Sequence, residues 1–219
     1  MRPRFGLLML AAILSLAVQG IVPPSAAQQV AVTALAGACL VLAFRAADLA
    51  PRLVALGAAL AIAIVVLSVL RAATGDIGEG VARAMNAALV ALAPPAVAIG
   101  VLADLRSRGE VRVQAVMGVL SLYVLLGMLF GFVYGAIDRF GGNPFFAGGS
   151  AATVSRCLYF SFATLTTVGY GDLVARTDTG HTLAIFEALV GQIYLVTIVS
   201  LIVSNLGGRG ARARRDERA

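Results

Sequence analysis

The chain lacks tryptophan and lysine, carries one histidine and two cysteines, and is poor in charge: 13% of its 219 residues are charged, against roughly 25% in soluble domains. Each shortage excludes something. So few charges beside 60% hydrophobic residues exclude an ordinary soluble globule, and the massing of the apolar residues in long blocks excludes disorder and collagen-like order. With one histidine and no HExxH, GxSxG or CxxC pattern, an enzyme reading finds no support and no cofactor is implied. Cys39 and Cys157 both fall in apolar surroundings, so a disulfide framework is not indicated. A polytopic membrane protein remains.

Nearly charge-free runs, of the roughly 20 residues that cross a bilayer, lie at 5–22, 28–44, 53–70, 81–103, 113–137 and 182–206. They predict six transmembrane helices. A shorter apolar piece at 152–165 has the length of a re-entrant or interfacial segment. The formal charge of +6 comes from 17 basic residues, all arginine, which reads as composition bias rather than a nucleic-acid surface. Their placement is the informative part. One side of the predicted topology holds Arg2, Arg4, Arg45, Arg52, Arg106, Arg108, Arg112, Arg209, Arg212, Arg214, Arg215 and Arg218, and the other only Arg71, Arg83, Arg139, Arg156 and Arg176. Positive charge stays inside, so both termini are expected in the cytoplasm.

The first span has a competing reading. A basic start at Met1–Arg4 and the small residues Ser25, Ala26 and Ala27 resemble a signal peptide, whose cleavage would leave the N-terminus outside. Its apolar run exceeds the usual 7 to 15 residues of such a core, which favours a retained helix. The chain divides into residues 1–110, a four-helix membrane region; 111–206, a pore-like module; and 207–219, a short basic tail. The tail reads as a topology anchor, with an anionic-lipid site as the alternative.

Directly after the short apolar piece comes Thr164-Leu165-Thr166-Thr167-Val168-Gly169-Tyr170-Gly171-Asp172. A cation stripped of water inside a membrane needs oxygen ligands, and a ring of backbone carbonyls supplies them without fixed charge. Irregular backbone at that depth has to line a watery cavity. Gly169 and Gly171 permit the unusual dihedrals that turn successive carbonyls to one side, while Val168 and Tyr170 point away and pack. The C-terminal end of a short helix over 152–165 is partly negative and favours a cation.

The run Thr166–Asp172, TTVGYGD, resembles the potassium-channel signature. The resemblance covers about residues 113–206, as outer helix, pore helix, filter and inner helix; the first four spans match nothing familiar. It implies an all-α membrane fold with six transmembrane helices, and a re-entrant pore helix and selectivity-filter loop between the fifth and sixth. It further implies potassium held by carbonyls of Thr167, Val168, Gly169 and Tyr170, with the Thr167 hydroxyl adding an oxygen, Gly171 completing the filter, and Thr166 and Asp172 supporting it. One filter per chain implies a homotetramer in membrane lipid, in a bacterial-type plasma membrane. Tyr159 and Phe160 stand where many relatives carry two tryptophans, and Ala163 where some carry an acid that bonds the residue matching Asp172. A looser aromatic cuff and an unbraced Asp172 are therefore expected.

Glu187 is an acid inside the last span, expensive there and normally partnered. We expect it to face the pore helix and brace the filter from behind; the alternative is an acid reaching water or arginine at the outer interface. Gly191 resembles the family's hinge glycine, with close helix packing as the alternative. Thr197, Ser200 and Ser204 share one helix face and are expected to line the cavity, unless their hydroxyls bond back to their own helix. Gly127, Gly131 and Gly135 form a small-residue packing face. His181 offers proton sensitivity or is incidental. The fourth span has only Arg83 and is interrupted by Pro94-Pro95, which does not suit a voltage sensor. The expected function is a potassium-selective channel. The alternatives are a weakly selective cation channel of the same architecture and a non-conducting subunit or sensor that keeps the filter.

Overall fold

A computed structural model describes residues 4–23, 25–74, 79–108 and 113–216. It is all-helical, with helices α1 (Arg4–Ile21), α2 (Ala26–Ala46), α3 (Pro51–Thr74), α4 (Glu79–Ala91), α5 (Ala93–Arg108), α6 (Val113–Phe140), α7 (Val154–Leu165) and α8 (Asp178–Asp216). Among the described residues the only extended pairing is an isolated antiparallel bridge between Phe146 and Ala175.

Local chemistry accounts for the boundaries. Ser25 caps α2 by accepting from the Gln28 amide at 3.1 Å, a standard use of serine at a helix start. Asp48 takes φ 51° in the turn between α2 and α3, a conformation that Asp tolerates better than most residues. The fourth expected span is two helices: α4 ends at Ala91 and α5 starts at Ala93. Pro94 and Pro95 lack the N–H that a continuous helix needs, but fit its first turn. α8 runs beyond Leu206, where the last span was expected to stop, to Asp216.

Among the described residues three helices, Ala26–Ala46, Pro51–Ala73 and Val116–Phe140, are long and apolar enough to cross a membrane, and Phe5–Ile21 and Ala84–Gly100 are shorter apolar stretches. The core is built around α6, which packs against α1, α4, α5 and α7. Leu8, Leu40, Leu89, Val97, Leu125 and Met128 are fully buried in one cluster drawn from α1, α2, α4, α5 and α6. Polar groups also join the helices. The Thr33 hydroxyl lies 2.9 Å from Asn86 Oδ1, a link between α2 and α4 of the kind that holds helices together where lipid offers no hydrophobic drive. By contrast α3 leaves Leu56, Ile62, Val66 and Leu70 exposed, a face suited to lipid.

Candidate functional site

The short helix α7 rests in the angle between α6 and α8. Thr153 caps its start, accepting from the Arg156 amide at 3.3 Å. Two glycines of the small-residue face let it approach α6 closely: a Cβ on Gly127 would stand 2.7 Å from the Phe162 ring, and one on Gly131 2.7 Å from Leu158. On the other side, a Cβ on Gly191 would stand 2.3 Å from the Leu165 carbonyl oxygen. That is backbone, which cannot swing aside, so α8 passes α7 at a distance only glycine allows.

From the end of α7 the chain doubles back. The amides of Thr167 and Gly169 donate to the carbonyls of Thr164 and Ala163 at 2.9 and 3.0 Å, and the Thr166 hydroxyl donates to the Phe162 carbonyl at 2.6 Å. Thr167, Gly169 and Gly171 have φ of 59°, 54° and 80°, with Val168 and Tyr170 on the negative side between them. Alternation of hand at every second residue is the backbone pattern that brings successive carbonyls to the same side. Glycine adopts it freely; at Thr167 the left-handed conformation costs about 1–2 kcal/mol, so the surroundings have to hold it. Val168 and Tyr170 are 52% and 69% exposed in the single chain.

The outer end of this loop is tied at several points. The Ala147 amide donates to Val174 O at 2.9 Å and the Arg176 amide to Phe145 O at 2.8 Å, joining the segments before α7 and after the loop. Asp138 accepts from the Phe145 amide at 2.9 Å. Beneath them Tyr134, Phe145, Phe146 and Phe160 meet edge-on or tilted, with centroids 4.9–5.8 Å apart, in the preferred geometry of aromatic packing.

Asp172 is not unbraced, as the absence of an acid at position 163 led us to expect. The Tyr159 hydroxyl donates to Asp172 Oδ1 at 3.1 Å, and the Tyr159 ring stacks nearly parallel on Tyr170, centroids 6.0 Å apart.

Glu187 is fully buried behind α7. Its Oε2 accepts from the Tyr134 hydroxyl at 2.5 Å, and its Oε1 is paired with the Ser161 hydroxyl, which also lies 2.7 Å from Gly127 O. One carboxyl therefore joins α6, α7 and α8. Deeper in, the Tyr123 hydroxyl donates to Leu165 O at 3.1 Å, its ring stacks on Tyr194, and the Tyr194 hydroxyl is bonded to Val119 O. Ser161 and Tyr134, the partners of Glu187, Tyr123, the partner of Leu165 O, and Gln192, whose Nε2 donates to Thr167 Oγ1 at 3.2 Å, were missed in the sequence. The available signal was a polar atom in each case inside an apolar stretch, which has to find a partner.

The remaining expected residues fall as follows. The Thr197 hydroxyl donates back to Ile193 O at 2.7 Å, and Thr197 and Ser200 are exposed in the single chain. The side chains of Ser204 and Arg83 lie outside the described residues. A ring nitrogen of His181 lies 2.7 Å from Ala175 O.

A loop of alternating hand, carried on a short capped helix between two long ones, coincides with a family match. Residues 118–207 match the model of an ion channel family. The chain is 36% identical to mouse (Mus musculus) potassium channel subfamily K member 4 across 67 residues, 30% of this chain and 16% of that one. It is 34% identical to two pore potassium channel a of rice (Oryza sativa subsp. japonica) across 87 residues, 40% of this chain and 23% of that one. The chain thus spans less than a quarter of either relative's length. No solved structure matches. The potassium-channel resemblance read from TTVGYGD holds for this domain, and the residues before 118 lie outside the match.

Proposed function

We propose that the protein is a tetrameric potassium-selective channel, conducting passively through the carbonyls of Thr167, Val168, Gly169 and Tyr170. The observation that carries this reading is the alternation of φ along 167–171, which glycine supports at two of its three left-handed positions and which suits a ring of oxygens replacing an ion's water. Four copies are needed to close such a ring. The exposure of Val168 and Tyr170, and of Phe186, Leu189 and Ile193 on α8, supports burial of these faces by neighbouring copies or lipid.

Two supports hold the filter's width. The Tyr159–Asp172 bond steadies its outer end, and Glu187 braces α7 from behind through Ser161. Both favour selective conduction over the weakly selective alternative. The six-span topology has both termini inside, and the burial of Leu8 and Ala12 of α1 in the core supports a retained first helix. The chain would lie in the plasma membrane with no cofactor beyond the permeant ion. Gly191 serves close packing against Leu165, with the hinge role secondary to it; Ser200 and Ser204 follow the inner end of the pathway, whereas the Thr197 hydroxyl is turned back to Ile193 O.

Flux from liposomes containing the purified chain tests the reading. Potassium release through tetramers, with sodium release much slower, is expected; equal release of both supports the weakly selective channel, and no release from well-folded tetramers supports the non-conducting subunit.

A further inference from the structure

Gln192 follows Gly191 on α8, and its Nε2 donates to Thr167 Oγ1 at 3.2 Å. Thr166, the preceding threonine, bonds back into α7, so the two adjacent hydroxyls are held by different helices. Thr167 is also the non-glycine residue of the loop with a left-handed φ, 59°, a conformation that needs an external hold. Its backbone is fixed through Thr164 O at 2.9 Å. Its side chain is fixed from α8 by Gln192.

A threonine hydroxyl has one proton and two lone pairs. An amide N–H placed on one lone pair leaves the other for a cation and stops the hydroxyl from turning. We propose that Gln192 is a positioning residue for the innermost cation site: it orients the Thr167 hydroxyl, so that four copies present a preset ring of hydroxyl oxygens where the filter meets the inner cavity. The inference rests on the channel reading above, because the ring exists only if Thr167 lines a shared pathway. Gln192 then acts on ion occupancy at the inner mouth and leaves the carbonyl sites of Val168 to Tyr170 unaltered.

Barium ion is a suitable probe, having nearly the radius of potassium and twice its charge. The full-length chain is recorded in planar bilayers with barium on the cytoplasmic side. Wild type is compared with Gln192→Leu, which keeps the bulk without the donor, and Gln192→Asn, one methylene too short to reach. Both variants are expected to weaken barium block up to about tenfold, the scale of one lost hydrogen bond, with the potassium-to-sodium reversal potential unchanged. In a Thr167→Ala background the same substitutions are expected to change block less than about twofold, since there is no hydroxyl left to orient. Unchanged block in Gln192→Leu and Gln192→Asn would overturn the proposal, as would equal effects in both backgrounds. A silent wild type overturns the channel reading itself and an unselective one its potassium selectivity, whereas a selective wild type with unaffected variants overturns only the role of Gln192.

Discussion

A carboxyl among apolar side chains gives up its hydration, and Glu187 recovers part of that through two hydroxyls, Tyr134 and Ser161. Glu187→Leu strands the Tyr134 hydroxyl at about 1–3 kcal/mol, while Ser161 keeps Gly127 O, and is expected to lower the thermal stability of the assembly and to speed loss of conductance during sustained recording. Glu187→Gln keeps an acceptor for Tyr134 and a group for Ser161 but removes the acid; a smaller shift in selectivity and inactivation is expected, and unchanged values of both would contradict the brace. Tyr159→Phe removes only the bond to Asp172 and keeps the stack on Tyr170, so inactivation should quicken while stability changes by about 1 kcal/mol or less. The acid was legible in the sequence because charge in an apolar run is conspicuous. Its partners were not, since Ser161 and Tyr134 lie 26 and 53 residues away and no periodicity along one helix shows which hydroxyl of another it meets.

Among the elements, the junction of α7 and α8 has the least room. Gly191→Ala puts a methyl against the Leu165 carbonyl oxygen, and the overpacking should cost about 1–3 kcal/mol, measured as a lower midpoint for thermal dissociation of the assembly. A midpoint equal to wild type would remove close packing as the reason for glycine there. Hinge and packing read alike from the sequence because both ask for glycine; the approach to Leu165 O supports packing. Helix existence was readable from apolar length and the presence of α7 from its shortness, whereas the division of α4 from α5 shows in the prolines but not its position. That division, with Arg83 the one arginine in the expected fourth span, leaves that span without a continuous helix carrying an array of arginines through the field. Conductance in a bilayer is therefore expected to vary shallowly with voltage, and steep voltage activation would contradict this.

At the scale of the whole molecule, α6 is shared: it packs on α7 and also on α1, α4 and α5, so the N-terminal helices meet the family-matched segment mainly through α6, with α1 also touching α7. The family match begins at residue 118, and composition alone says nothing of how the preceding helices pack, because an apolar helix in lipid has no polar face to betray its neighbours. The central claim is selective conduction by the 167–170 carbonyls. It is tested most directly by the reversal potential of the purified chain in a planar bilayer with potassium on one side and sodium on the other, followed by tenfold potassium steps. The account predicts a reversal that tracks the potassium gradient at about 59 mV per tenfold step; a reversal that stays near zero in the opposed potassium and sodium solutions would contradict it.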